Sequence, residues 1–345
     1  MKEQQIVTLT ESDDRVTILD SMRGYFILWI GIFNTLNILN NVYPNLIFSS
    51  ILYLINDKGW FCLSAIFGYS FGILLKKEKN GASLFLKRMT FLFCLGLLNS
   101  FLYYGDILKD YAIVGILIYL LRNLLLKHRV LVLLLFFTLT IISLLTVDYD
   151  MKNIGNLSDY IKSGFVLISN FKYSIHINLV SKYYLICYHL EMILLVLLGF
   201  YASYFGLEKS LLWNFKKVNH NFYLFICLDL IALFLIFSDV LKEFRAVLYF
   251  IHILTFSLWY MTGFYILVNG TKLNTVLSRL GKRTLSLYLI QNIVLCSFWF
   301  LSDKQLSKGL FINGIYYFGI QLSIVFTFFI GNKLILKNKS LYLIP

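Results

Sequence analysis

The chain has 345 residues, 59% hydrophobic and 14% charged, with a formal net charge of +13 and a mean hydropathy of +0.75. Soluble domains lie nearer half apolar and about a quarter charged, so this composition excludes a soluble globular protein and points to a multi-pass membrane protein. No polar segment is long enough to fold alone, which predicts an all-α polytopic helix bundle forming a single integral membrane domain over 1–345.

In chain order, "MKEQQIVTLTESDDRV" is polar and acidic, unlike the basic start of a secretory signal. Residues 1–21 are therefore expected to form a cytoplasmic N-terminal segment. Apolar windows of about 20 residues follow at 22–41, 58–75, 84–104, 107–122, 130–147, 183–206, 218–238, 246–268, 284–301 and 311–332. About ten transmembrane helices are predicted. The window 46–56, "LIFSSILYLIN", is too short to cross and is expected to lie along the surface. Residues 148–182 form the longest external loop, and "SDYIKSGFVLISNFKY" within it has apolar residues at helical spacing, as an interfacial helix or a lid would.

Cationic residues orient the spans. With both termini cytoplasmic, 21 of the 31 Lys and Arg fall on the cytoplasmic side, concentrated in stretches such as "LLKKEKNGASLFLKR" and "SRLGKRT". The positive balance follows from this topology and from attraction to anionic lipid heads, and calls for no nucleic-acid partner; the lipid bilayer is the partner it implies. The five cysteines all lie in apolar segments with no C-x-x-C pair, and the five histidines form no H-x-x-x-H pair. Neither a disulfide framework nor a bound metal is expected.

Within the spans, Ser64, Gly68 and Gly72 recur every four residues, a stripe that lets another helix approach closely. Gly24 and Gly31 do the same in the first span. Ionisable residues at depth cost roughly 2.5–3.5 kcal/mol each on insertion scales, and so call for a partner or a task. Asp229, Asn34 and Gln291 lie near the middle of their spans, and Glu191, His189, Asn99, His252 and Asp106 lie towards the outer face. One polar cluster is expected there, either holding helices together, forming a substrate pocket or carrying protons. His189 and Glu191, two residues apart, would point away from each other on a helix and form no dyad.

The stretch "YYGDILKDYA" (103–112) joins two spans. Asp106 there suits the cap of the following helix, with Asp110 on the same face. At the inner end of the first span, "RVTILDSMRG" places Asp20 and Arg23 three apart, close enough to pair. Arg15, Arg279, Lys282 and Arg283 would complete a basic rim for an anionic ligand.

"RVTILDSMRG" (15–24), "AIFGYSFGILL" (65–75), "KRMTFLFCLGLLNSFLYYGDILKDYAIVGILIYLLR" (87–122) and "LGKRTLSLYLIQN" (280–292) occur in this order. Together they resemble the YeiB-like bacterial membrane family, a domain of unknown function distantly related to transmembrane acyltransferases. The resemblance implies a bacterial cytoplasmic (plasma) membrane protein that takes an acyl group from cytoplasmic acyl-CoA, as donor substrate and not as bound cofactor. An envelope or secreted molecule would be the acceptor. It further implies that Arg15, Asp20 and Arg23 border the donor entrance and that Asp106 and Gln291 line the transfer site. The chain departs from the family where "GLLN" replaces G-L-L-H, putting Asn99 in place of a histidine, and where Asn34 and Asn37 stand near the end of the first span. Asn orients a group or donates to an oxyanion but does not serve as a base. Asp106 or Glu191 would then act as the base only if burial raised its pKa.

The residues leave three functions open. The first is an acyltransferase-like protein with Asp106 and Glu191 catalytic and Arg15, Asp20, Arg23, Asn34, Asn99, Asp229 and Gln291 binding substrate. The second is a non-enzymatic export, immunity or resistance protein, and the third a small-molecule transporter using Asp229 and Glu191. Pro44 and Pro345 are the only prolines and both lie outside the spans; the broken helices common in transporters are not signalled.

Overall fold

The computed structural model describes residues 17–42, 58–77, 81–146, 166–181, 183–205, 215–238 and 241–305. Among them there is no strand. Eleven α-helices run in order: α1 (Thr17–Val42), α2 (Lys58–Lys77), α3 (Gly81–Leu102), α4 (Leu108–Lys127), α5 (Arg129–Thr146), α6 (Val166–Val180), α7 (His189–Phe205), α8 (Phe215–Phe237), α9 (Arg245–Val268), α10 (Lys272–Gly281) and α11 (Thr284–Gln305). A π-helical segment, Tyr183–Tyr188, leads directly into α7.

Helices satisfy every internal backbone group within the segment, which is what a chain this apolar requires in lipid. Five are long and apolar enough to cross a membrane: Lys58–Leu75, Ser83–Leu102, Arg129–Thr146, Tyr183–Tyr204 and Arg245–Val268. α8 and α11 hold shorter apolar stretches, Asn221–Phe237 and Thr284–Ser297. α4 falls short because Lys109, Asp110, Arg122 and Lys127 share its twenty residues. The windows expected at 46–56 and 311–332 lie outside the described residues.

α2 and α7 cross with their backbones in close approach. Gly68 sits against the Val196 carbonyl, Gly72 against that of Phe200, and Gly199 against that of Ala65. The stripe read from the sequence thus meets a glycine on the opposing helix, and a β-carbon at any of the three would overlap backbone. Around this crossing Phe26, Ile66, Phe85, Ile118, Met192, Leu197 and Phe200 form one core, with Phe71 stacked on Phe85 at 4.3 Å between ring centres.

Two helices lie in the segments that connect the expected spans. α10 is a helix, amphipathic, with Leu277 and Leu280 buried and Lys272, Leu273 and Arg279 exposed. It packs on α1 because Gly24 admits the Leu277 carbonyl and Gly281 admits that of Asp20. α6 forms within the 148–182 segment and packs against the end of α3: Phe101 and Phe171 stack at 4.2 Å, and Tyr104 meets Tyr173 edge-on at 5.1 Å. α9 stops where the Asn269 N–H bonds back to the Tyr265 carbonyl and Gly270 turns at φ 76°, a conformation glycine adopts without strain.

Candidate functional site

Residues 103–107 turn the chain from α3 into α4 and fold back onto α3, where Gly96 leaves room for the Asp106 carboxylate and the Lys109 backbone. Asp106 is 2% exposed. Its Oδ2 accepts from the backbone N–H of Leu108 (3.1 Å) and Lys109 (3.2 Å), and its Oδ1 accepts from Asn99 Nδ2 at 2.6 Å. The capping expected of Asp106 is present, delivered from one residue before the helical cap position, which Ile107 occupies. Lys109 folds back so that its Nζ donates to the Asp106 carbonyl at 2.7 Å. Burial pushes the Asp106 carboxyl up to about 6, against the lowering effects of Lys109 and Asn99.

Other polar side chains gather at this turn. Tyr103 donates its hydroxyl to Asn34 Oδ1 at 3.0 Å, tying α1 to the turn. Gln291 of α11 lies against Gly31 of α1. The buried Tyr288 hydroxyl lies beside the Ile107 backbone and within electrostatic reach of Asp106. Asn34, Asn99, Asp106 and Gln291 are thus brought to one neighbourhood. α6 closes it from one side, with Asn170 Nδ2 donating to the Phe101 (3.3 Å) and Leu102 (3.1 Å) carbonyls at the end of α3.

One turn into α4, Asp110 makes a contact that sequence reasoning missed. Its Oδ2 accepts from the Tyr188 hydroxyl at 3.2 Å, and its Oδ1 faces His189 Nε2 at 3.9 Å. The other ring nitrogen, Nδ1, lies 2.6 Å from the Tyr184 carbonyl; since a carbonyl only accepts, Nδ1 carries the proton there. Nε2, the nitrogen turned towards Asp110, is then the one that gains or loses a proton. The π-helical segment supplies that carbonyl, and such bulges are frequent at functional sites. The His189 side chain is 25% exposed, whereas that of Asp110 is 5%. Nothing in the sequence ties Asp110 to a residue 78 positions later; the only signal was its unusual place beside Asp106.

The single polar cluster expected from depth alone is divided. Asp229 (α8) is buried among α9 partners: His252 Nδ1 lies 2.6 Å from Oδ1, Thr255 donates to Oδ1 at 3.2 Å, and Trp259 Nε1 donates to Oδ2 at 3.1 Å. Depth matched it to Asn34 and Gln291, but its helix pairs with α9, so its carboxylate fastens α8 to α9. Glu191 is buried two residues beyond His189 and lies within electrostatic reach of Cys187.

At the other end of α1, Asp20 is 1% exposed and its Oδ1 accepts from Arg23 Nη1 at 2.6 Å, the pairing expected from their spacing. Arg23 also donates to Ser70 on α2, and Ser21 donates to the Asn274 carbonyl of α10 at 2.7 Å. α10 and the residues after it bring the exposed Arg279 and Lys282 and the half-buried Arg283 to the same junction. Arg15 lies outside the described residues. No group of three or more His, Cys, Asp or Glu side chains able to hold a metal occurs among the described residues.

No family model and no solved structure matches the chain. Over 115 residues it is 30% identical to an uncharacterised 39.9 kDa protein in the amylase 3' region of Bacillus acidopullulyticus. The match covers 30% of this chain, which spans about a third of the length of that curated relative.

Proposed function

We propose that the chain is a bacterial cytoplasmic-membrane protein of about ten spans, both termini inside, that transfers an acyl group from cytoplasmic acyl-CoA to a hydroxyl of an extracytoplasmic acceptor. The observation that carries the chemistry is the Asp110–His189 pair. The Tyr184 carbonyl holds the Nδ1 proton, so Nε2 of the partly exposed ring is the basic atom, and the buried Asp110 carboxylate stands where it stabilises the imidazolium formed when Nε2 takes a proton. This assigns to His189 the base role that Asn99 does not fill.

In the step itself, the acceptor oxygen attacks the thioester carbonyl as its proton passes to His189 Nε2. The C–O bond forms, the C–S bond breaks, and the proton moves from His189 to the departing thiolate to give free CoA. The guanidinium of Arg23, fixed by Asp20 and Ser70 with its side chain 24% exposed, supports a donor-side role in holding the anionic part of CoA. Asp229 is engaged by three α9 side chains, which favours a structural role for it over proton-coupled transport. Apolar side chains on the outer faces of α3, α5 and α8 support a lipid-facing surface, and the Lys-rich inner loops support the orientation.

The test is CoA release from acetyl-CoA in oriented vesicles that retain native envelope material. Release above that of empty vesicles is expected only with donor on the cytoplasmic face. His189→Gln should lower it by about 100-fold or more, the scale of general-base catalysis, and Arg23→Ala should raise the KM for donor. Equal release from wild type and His189→Gln would remove the transfer chemistry from this site.

A further inference from the structure

α10 lies where α9 reaches the end of its apolar run. That run stops at Val268, and α10 begins at Lys272, after the turn at Gly270. Ser21 of α1 bonds to the Asn274 carbonyl, Gly24 admits the Leu277 carbonyl, and Gly281 admits that of Asp20. These contacts spread over about 10 Å along α10 but only about 6 Å along α1. Their order is not kept either, since positions 21, 24 and 20 of α1 meet positions 274, 277 and 281. α10 therefore lies across the N-terminal end of α1 rather than alongside it, level with the end of the α9 span.

Its two faces differ in chemistry. Leu277, Ser278, Leu280 and Gly281 are buried against the bundle, whereas Lys272, Thr275 and Arg279 are exposed. Lys282 is exposed too, and it keeps helical backbone angles just past the last turn. These four recur at intervals of three and four residues, which sets them in one stripe along the helix. Nothing neutralises the stripe. No Asp or Glu occurs between 244 and 302, and Lys272, Arg279 and Lys282 form no ion pair with a described residue. Asp20 of the crossed helix is 1% exposed and is bonded to Arg23.

Apolar surface adjoins these charges. Leu273 is 51% exposed beside Lys272, and Leu267, in the last turn of α9, is 76% exposed on the other side of the Gly270 turn. A fitting partner is anionic and carries hydrocarbon next to its charge. A soluble phosphate compound meets only part of this. Lys272 and Lys282 stand about 15 Å apart along the helix axis, beyond the reach of one small anion, and both leucines would stay in water. A row of lipid headgroups meets all of it, with phosphates along the stripe and acyl chains against the leucines.

We propose that α10 is a docking helix for anionic phospholipid in the leaflet at the Val268 end of α9. Lys272, Arg279 and Lys282 hold the phosphates, and Leu267 and Leu273 meet the chains. The positive-inside pattern requires cations only somewhere in a loop; here they stand on one face of a helix fixed to the bundle by its other face. Arg279 and Lys282, expected as part of a basic rim, thereby gain a lipid as their anionic ligand. The assignment does not rest on acyl transfer.

The experiment is native mass spectrometry of the purified full chain in neutral detergent, with equal amounts of phosphatidylglycerol and phosphatidylcholine added. Retained phosphatidylglycerol should exceed retained phosphatidylcholine by about tenfold or more. The triple variant Lys272→Gln, Arg279→Gln, Lys282→Gln should lower that retention by about tenfold or more, given about fivefold for each cation near an anionic surface. The double variant Lys87→Gln, Arg88→Gln removes two exposed cations from α3 and should retain phosphatidylglycerol as wild type does. Added glycerol phosphate, which is the headgroup chemistry without chains, should displace no more lipid than chloride at the same ionic strength. Arg279→Gln alone, expected to lower retention about fivefold, serves if the triple variant fails to fold. Equal retention of the two lipids overturns the proposal, as does unchanged retention in the folded α10 variant. An equal loss in the α3 variant would show diffuse attraction to the cationic side, and displacement by glycerol phosphate a site for a soluble anion; either result also overturns it.

Discussion

At Asp106 a carboxylate caps the first turn of α4 while 98% shielded from solvent, and burial outweighs its hydrogen bonds and the nearby Lys109 charge. Its pKa in the folded protein, about 6, stands above the ordinary carboxylate value near 4. The folded state therefore binds more protons than the unfolded one between those values, and stability falls as pH rises through that window. The contribution is fully present below about pH 4 and lost above about pH 6, and the shift corresponds to roughly 3 kcal/mol. Asp106→Asn keeps an oxygen for the cap and cannot ionise, so it should abolish this component. Thermal unfolding of the two proteins in the same micelles from pH 4 to 7 measures it: wild type should lose stability relative to Asp106→Asn as pH rises. Parallel profiles would mean that Asp106 is hydrated or better partnered than its surroundings indicate.

Among the elements, the α2–α7 crossing is held by small residues that bring backbones into contact, so its weak point is any added side-chain volume. Gly199→Val should clash with the Ala65 carbonyl and cost about 1–3 kcal/mol or more. Gly105→Val, at an exposed position of the turn, meets the Tyr103 side chain at 2.9 Å and no backbone, and should cost less. Comparing the denaturant midpoints of the two separates backbone overlap from a general intolerance of valine. The stripe Ser64–Gly68–Gly72 was legible in the sequence because its period is local, but its partner was not: Gly199 becomes meaningful only once α7 is laid across α2. α10 carried a readable signal in Leu273, Leu277 and Leu280, overridden by the dense charge of "SRLGKRT". The π-helical turn had none, and the Asp110–His189 contact had only the place of Asp110 beside Asp106, since it arises where helices distant in sequence meet. Depth along a span placed Asn34, Asn99, Asp106 and Gln291 in one neighbourhood. It also grouped Asp229 with them, whereas Asp229 pairs with His252, another member of the expected cluster, on α9; depth says nothing about which way around the bundle a helix faces.

For the whole molecule, the apolar side chains that remain exposed belong mainly to the outer faces of α3, α5 and α8, including Leu98, Leu131 and Phe234. A soluble monomer rarely presents continuous apolar surface on that scale, whereas a bilayer requires it. Orientation is a separate matter, carried by the cationic loops. α9 offers a clean test, because Glu243 precedes it, Lys282 follows it beyond α10, and both are exposed. With both termini inside, Glu243→Cys should react with a membrane-impermeant maleimide in right-side-out vesicles only, and Lys282→Cys in inside-out vesicles only. Each is scored as labelling beyond that of the five native cysteines, of which Cys94 and Cys227 are exposed. Labelling of both from one face would mean that α9 does not cross. A reversed pattern would keep the crossing and invert the topology, moving Arg23 away from the cytoplasmic donor and the α3–α4 turn away from an extracytoplasmic acceptor, so transfer in the proposed direction would fail with it.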